Sequence, residues 1–239
     1  MVNNTGSVRS ITQSVGEFLE SYAIGVITPG RLGELVKVGY HDGTNHKARS
    51  GVSILIERGQ DFGFFLIFAG SALAFGQMTA VSLSYGLIVI TVGGLAIGAS
   101  MCLGANAKAS KMLHRWVPAL FDGNTLFGVP VVARVGFISL FSNIITFLSS
   151  YFLALGIGLH AGFLTISGGV ALAGLLNAIP VTVLGLGTRE VTFLYVFSDY
   201  PQASVLAFSG LMLIVVQIGG GVTAMLMGHV ALFFSKRIR

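Results

Sequence analysis

Two long stretches of this chain carry no charge, residues 62–107 and residues 135–188. The first holds 46 consecutive uncharged residues between Asp61 and Lys108, the second 54 between Arg134 and Arg189. Soluble domains carry about a quarter of their residues as charges, so they do not contain runs of this kind. At roughly 20 apolar residues per bilayer crossing, each run has room for two helices and a turn. Over all 239 residues, 54% are hydrophobic and 10% charged, the reverse of a disordered composition. The fold class this predicts is an all-α integral membrane protein, and a water-soluble enzyme is disfavoured.

Where the few charges stand predicts the spans and their sides. Residues 62–105 read as a transmembrane hairpin that turns near Thr79–Ser84. Lys47, Arg49 and Arg58 precede it and Lys108, Lys111 and Arg115 follow it, so the positive-inside rule puts both flanks in the cytoplasm. Residues 106–133, with Pro118, Asp122 and Pro130, read as a cytoplasmic or interfacial linker. Residues 135–159 and 203–233 read as single transmembrane helices, the last one ending in Lys236, Arg237 and Arg239 on the cytoplasmic side.

That end fixes how residues 163–198 run. A full crossing there would put the terminal basic residues outside, so the segment is predicted to enter, break at Pro180 and return to the same face. Proline removes a backbone donor and clashes with the preceding turn, while Gly185 and Gly187 accept the bend. Residues 10–40 repeat the device: Glu17–Ile27 is too short and too charged to span, and it meets Pro29-Gly30 before restarting at Arg31. The expectation is one transmembrane domain, residues 1–239, with about four full transmembrane helices plus two broken (re-entrant) helical hairpins. Gly94-x-x-x-Gly98 and Gly158-x-x-x-Gly162 have the spacing at which membrane helices pack closely. The N-terminal residues, MVNNTGSVRSITQSVGEF, are polar and lack a signal-peptide core.

Chemistry is predicted at the two breaks. Thr28-Pro29-Gly30-Arg31-Leu32-Gly33-Glu34 and Pro180-Val181-Thr182-Val183-Leu184-Gly185-Leu186-Gly187-Thr188-Arg189-Glu190 each put proline and glycine before a helix whose first turn holds Arg and Glu. Backbone N–H groups at such a helix start attract anions, and arginine offers a permanently charged fork suited to phosphate. Arg31 and Arg189 are therefore candidate phosphate ligands, with Glu34 and Glu190 fixing their geometry. The plainer alternative is that each Arg–Glu pair only pins a bend.

Other candidates are weaker. Glu57, Arg58 and Asp61 offer two acids at i and i+4, read either as an acid–base or cation site or, more plainly, as a solvated interfacial helix start. Ser142, Asn143 and Asn177 read as helix–helix hydrogen-bonding residues in preference to a polar path. His41 and His46 make a poor zinc site, and His160 and His229 read as packed or interfacial. The single cysteine, Cys102, permits no internal disulfide or thiolate metal site. No P-loop, dinucleotide or nucleophile-elbow motif appears, and no basic cluster suits nucleic acid. The expectation is accordingly no catalytic residues, no metal and no cofactor.

The Thr28–Glu34 stretch, Glu57-Arg58-x-x-Asp61 and Gly185-Leu186-Gly187-Thr188-Arg189-Glu190 together resemble the lysylphosphatidylglycerol synthase transmembrane-region family, also called flippase-like. The resemblance covers nearly the whole chain. Members usually carry a Pro-Gly-Gly run where this chain has Val183-Leu184-Gly185, and commonly have more transmembrane helices before the first loop, so the chain resembles an N-terminally shortened member. It implies a protein of the prokaryotic plasma (inner) membrane that binds and translocates an anionic phospholipid or lipid-linked intermediate. The implied headgroup ligands are Arg31, Glu34, Arg189 and Glu190. The implied loop backbone is Pro29, Gly30, Gly33, Pro180, Gly185 and Gly187, with Glu57, Arg58 and Asp61 secondary. The alternative is a non-transporting subunit that presents lipid to a glycosyl- or aminoacyltransferase partner.

Overall fold

A computed structural model describes residues 11–28, 33, 34, 36, 44–75, 83–106, 111, 127–178 and 184–237. Among them the long regular elements are helices: α1 (Ile11–Ile27), α2 (Thr44–Phe75), α3 (Leu83–Ala105), α4 (Val129–Gly156), α5 (Phe163–Asn177), α6 (Thr188–Val196), α7 (Gln202–Leu211) and α8 (Gly220–Arg237). A π-helical stretch, Met212–Gly219, joins α7 to α8 without a break. Leu83–Ala105, Val129–Gly156 and Gln202–Phe234 are long and apolar enough to cross a membrane. Their outward faces carry side chains such as Leu95, 68% exposed, and Phe137, 70% exposed. Bare faces of this size are what hydrocarbon solvates and water does not. The chain is an all-α integral membrane protein.

α2 and α3 pack antiparallel along their lengths through small residues. A methyl group on Gly63 would meet the Gly93 carbonyl oxygen at 2.8 Å, one on Gly70 the Gly86 carbonyl at 2.8 Å, and one on Gly59 the Ser100 Cβ at 2.9 Å. Close approach of this kind is the usual source of helix association in lipid, where burial of apolar surface gives no drive. The expected packing glycines were others. Nothing lies within 4 Å of a Cβ on Gly94 or Gly98, and Gly158 sits at φ +78° in the turn after α4. On α3 the seam instead repeats every seven residues, Gly86, Gly93 and Ser100 facing Gly70, Gly63 and Gly59, a spacing that keeps one face of the helix on its partner.

Two helices begin earlier than the charge map predicts. α2 starts at Thr44, well before the expected residue 62, and inside it Arg58 is paired with Glu34 and Asp61. α4 starts at Val129 inside the expected linker, with Pro130 in its first turn, where a fixed φ suits a helix start. The rest of that linker, residues 107–110 and 112–126, lies outside the described residues, as do residues 76–82 of the expected hairpin turn.

The remaining helices bring the two breaks together. α1 runs antiparallel to α8, with Gly16 against Leu232 and Val26 near Gly221, so the end of α1 reaches the start of α8. From the opposite end come α5 and α6. Gly169 on α5 packs on Val196 and Phe197, while Asn177 at the end of α5 meets Gly185 and Thr188 before α6. The Tyr200 hydroxyl then donates to the His160 carbonyl at 3.3 Å, so α6 ends where α5 began. A core of Phe147, Ile166, Phe193, Phe197 and Phe208 holds that end, with Phe193 and Phe208 stacked at 5.1 Å.

Candidate functional site

The first break is organised by Thr28. Its hydroxyl donates to the carbonyls of Ile24 at 3.2 Å and Gly25 at 3.1 Å and accepts the Gly33 N–H at 2.7 Å. This folds Gly33 and Glu34 back against the last turn of α1. Gly33 has no room for a side chain there, since a Cβ would stand 2.6 Å from the Ile24 carbonyl oxygen. Pro29, Gly30 and Arg31 lie outside the described residues.

Glu34 is 2% exposed and forms an ion pair with Arg58 on α2. Arg58 also stands 3.6 Å from Asp61, one turn on. Asp61 accepts the Ser139 hydroxyl and, at 3.4 Å, the Asn143 amide, both from α4. The reading of Glu57-Arg58-x-x-Asp61 as a solvated helix start is thereby corrected. The segment lies inside a helix already three turns old, and Arg58 and Asp61 tie α2 to the first loop and to α4. Asn143 does bond between helices as expected, whereas Ser142 is exposed and its carbonyl accepts a local bond from the Thr146 hydroxyl.

The second break is organised by glycine and by Asn177. Leu184, Gly185 and Gly187 have φ of +57°, +70° and +89°. Asn177 Oδ1 accepts the Thr188 hydroxyl at 3.0 Å, closing the loop across the gap between α5 and α6. Pro180 lies outside the described residues. Glu190 caps its own helix, accepting the Gly187 N–H at 2.6 Å. That N–H is therefore committed to Glu190, against the expectation that the helix start offers it to an anion.

Arg189 is 3% exposed and splayed over three partners. Its Nε donates to Ser209 Oγ at 2.9 Å, one Nη to Gln217 Oε1 at 3.0 Å and the other to Glu190 Oε1 at 3.1 Å. Ser209 in turn donates to Glu190 at 2.7 Å. The expected Arg189–Glu190 pair is present, and it is locked to α7 and the π-helical stretch. Neither Ser209 nor Gln217 figures in the sequence reading. The available signal was a polar residue inside the otherwise apolar Tyr200–Ser235, where side chains of that kind need a partner.

Both networks border one cavity of about 370 Å³. Thr28 and Val26 close it from the α1 side, Asn177, Leu184, Gly185 and Arg189 from the second loop, and Arg58, Asp61 and Phe65 from α2. Met212, Val216 and Gln217 of the π-helical stretch form a further wall, beside Thr146 of α4 and Val170, Ala173 and Gly174 of α5. π-helical turns widen the backbone and recur at functional sites. Among the described residues, the two guanidinium groups here are balanced against three carboxylates, Glu34, Asp61 and Glu190. No group of three His, Cys, Asp or Glu among them is placed to hold a metal ion. His229 pairs with Glu20 at 3.4 Å away from this cavity, between α8 and α1.

The family model described as the Lysylphosphatidylglycerol synthase TM region matches residues 2–234. No curated protein and no solved structure matches the chain. The chain therefore belongs to the Lysylphosphatidylglycerol synthase TM region family, a family of lipid-related membrane proteins.

Proposed function

We propose that this member of the Lysylphosphatidylglycerol synthase TM region family binds the headgroup of an anionic phospholipid or lipid-linked intermediate in the cavity between its two broken hairpins and carries it across the bilayer. The observation that supports this most is the cavity itself: two arginines from different elements border one space at the level where both chain breaks meet. Ionised groups at membrane depth are costly and persist where they face one another or a polar path. Arg58 and Arg189 meet that condition, and a phosphate can replace their present acceptors with charge-assisted bonds. Arg31 belongs to the same loop sequence and acts as a further phosphate ligand in this reading. Acyl or isoprenoid chains remain in the hydrocarbon beside the exposed helix faces.

In this reading the protein is not an enzyme, resides in the plasma membrane of a prokaryote and keeps its C-terminus in the cytoplasm. The test is reconstitution of the full chain in vesicles containing fluorescent phosphatidylglycerol, with outer-leaflet quenching to follow exchange. Exchange faster than in protein-free vesicles is expected. Arg189→Ala, Arg58→Ala and Arg31→Ala should each lower it at least tenfold, and unchanged rates in all three would defeat the site assignment. Binding without exchange would favour the subunit that presents lipid to a glycosyl- or aminoacyltransferase.

A further inference from the structure

Arg58 serves two carboxylates that differ in what else supports them. Asp61 keeps the Ser139 hydroxyl and the Asn143 amide whether or not Arg58 stays. Glu34 has no such reserve. It is almost fully buried, its Oε2 accepts from Arg58, and its Oε1 has no hydrogen-bond partner. Gly25 on α1 lies against it, and the cation paired with it among the described residues is Arg58. Glu57, beside Arg58 in the chain, adds negative field on the α2 side, and Asp61 adds more. From α6, Arg189 is already committed to Glu190, Ser209 and Gln217.

Arg58 borders the cavity, whereas Glu34 stands behind it. An anion that enters and engages Arg58 therefore competes with Glu34 for the same guanidinium. Once Arg58 turns to the anion, Glu34 is left as a buried carboxylate without a counter-ion. A buried, unpaired carboxylate is far costlier than the neutral acid, so the group takes a proton from solvent. We infer that Glu34 is a proton-binding site coupled to the headgroup cavity, one proton being taken up for each anionic headgroup that engages Arg58. The inference rests on the proposed headgroup site. It gives transport a direct link to the proton gradient: the bound state carries one extra proton, which leaves when Arg58 returns to Glu34.

The sign follows from the same competition. With the cavity empty, Glu34 stands paired with Arg58. With an anion bound, Glu34 is neutral, so binding tightens as pH falls, by at most about tenfold per pH unit for a single linked proton. The experiment is calorimetric titration of dihexanoyl-phosphatidylglycerol into the full chain in phosphatidylcholine nanodiscs, in two buffers of different ionisation enthalpy. The buffer difference counts protons directly. About one proton taken up per ligand is expected for the wild type and about none for Glu34→Gln, which should also bind with a flat pH profile. Asp61→Asn should keep the proton. Binding with no proton uptake in the wild type, or uptake that survives Glu34→Gln and vanishes in Asp61→Asn, would overturn the inference. An absence of binding at every pH would instead remove the headgroup site on which it rests. Where Glu34→Gln fails to fold, Asp61→Asn keeps the test decisive: proton uptake retained there supports Glu34, and uptake lost there overturns the inference.

Discussion

Leu184 is the described non-glycine residue with a left-handed backbone, at φ +57°. A left-handed branched side chain stores about 1–3 kcal/mol of strain. Leu184→Gly should therefore raise thermal stability, while Gly185→Ala next to it should lower stability by at least as much. At Gly185 a Cβ would both strain the φ of +70° and collide with the Asn177 amide. Thermal unfolding of the two variants in detergent checks the opposite signs. Residue by residue, legibility followed sequence distance. Arg189 and Glu190 are neighbours, so their pairing could be read directly. Glu34 and Arg58 are 24 apart, and only the packing of the first loop on α2 joins them. A local motif therefore suggested Arg31 as the partner of Glu34, when the described partner is Arg58.

The helices themselves were legible because charge-free length decides spanning, but their contact faces were not. A four-residue glycine spacing is the familiar mark of a membrane interface. Here Gly94 and Gly98 face open space and the seam uses Gly63, Gly70, Gly86 and Gly93. The register of α2 against α3 selects one glycine row over another, and register is a pairwise property that one helix's sequence does not contain. The consequence is a sharp contrast. Gly63→Leu should separate the hairpin, because even a methyl there would meet Ile97 at 2.5 Å and the Gly93 carbonyl at 2.8 Å. Overpacking of that kind costs about 1–3 kcal/mol or more. Gly98→Leu, facing lipid, should be tolerated. Comparing the fraction of monodisperse protein and the unfolding midpoint for the two variants tests the seam. Equal effects would mean that the faces are assigned wrongly.

On the scale of the whole molecule, the decisive arrangement is that α1 and the α5–α6 hairpin approach one cavity from opposite ends of the long α7–α8 helix. In the sequence, a conflict of charges implies a returning hairpin, since a full crossing would strand Lys236, Arg237 and Arg239 on the wrong side. The coordinates reach a returning hairpin through contact: Tyr200, after α6, bonds to His160, before α5. These two lines use different information, and they make the same prediction about sidedness. Because Cys102 is the chain's single cysteine, a Cys102→Ser background leaves none. Added singly to that background in intact cells, His160→Cys and Asp199→Cys should both react with a membrane-impermeant maleimide. Lys236→Cys should react only after the membrane is opened, since basic flanks stay cytoplasmic. Were α5 and α6 together a full crossing, His160 and Asp199 would label from opposite sides. The cavity would then no longer be the meeting point of two tips, and a headgroup route between them would have no entrance from the outer face.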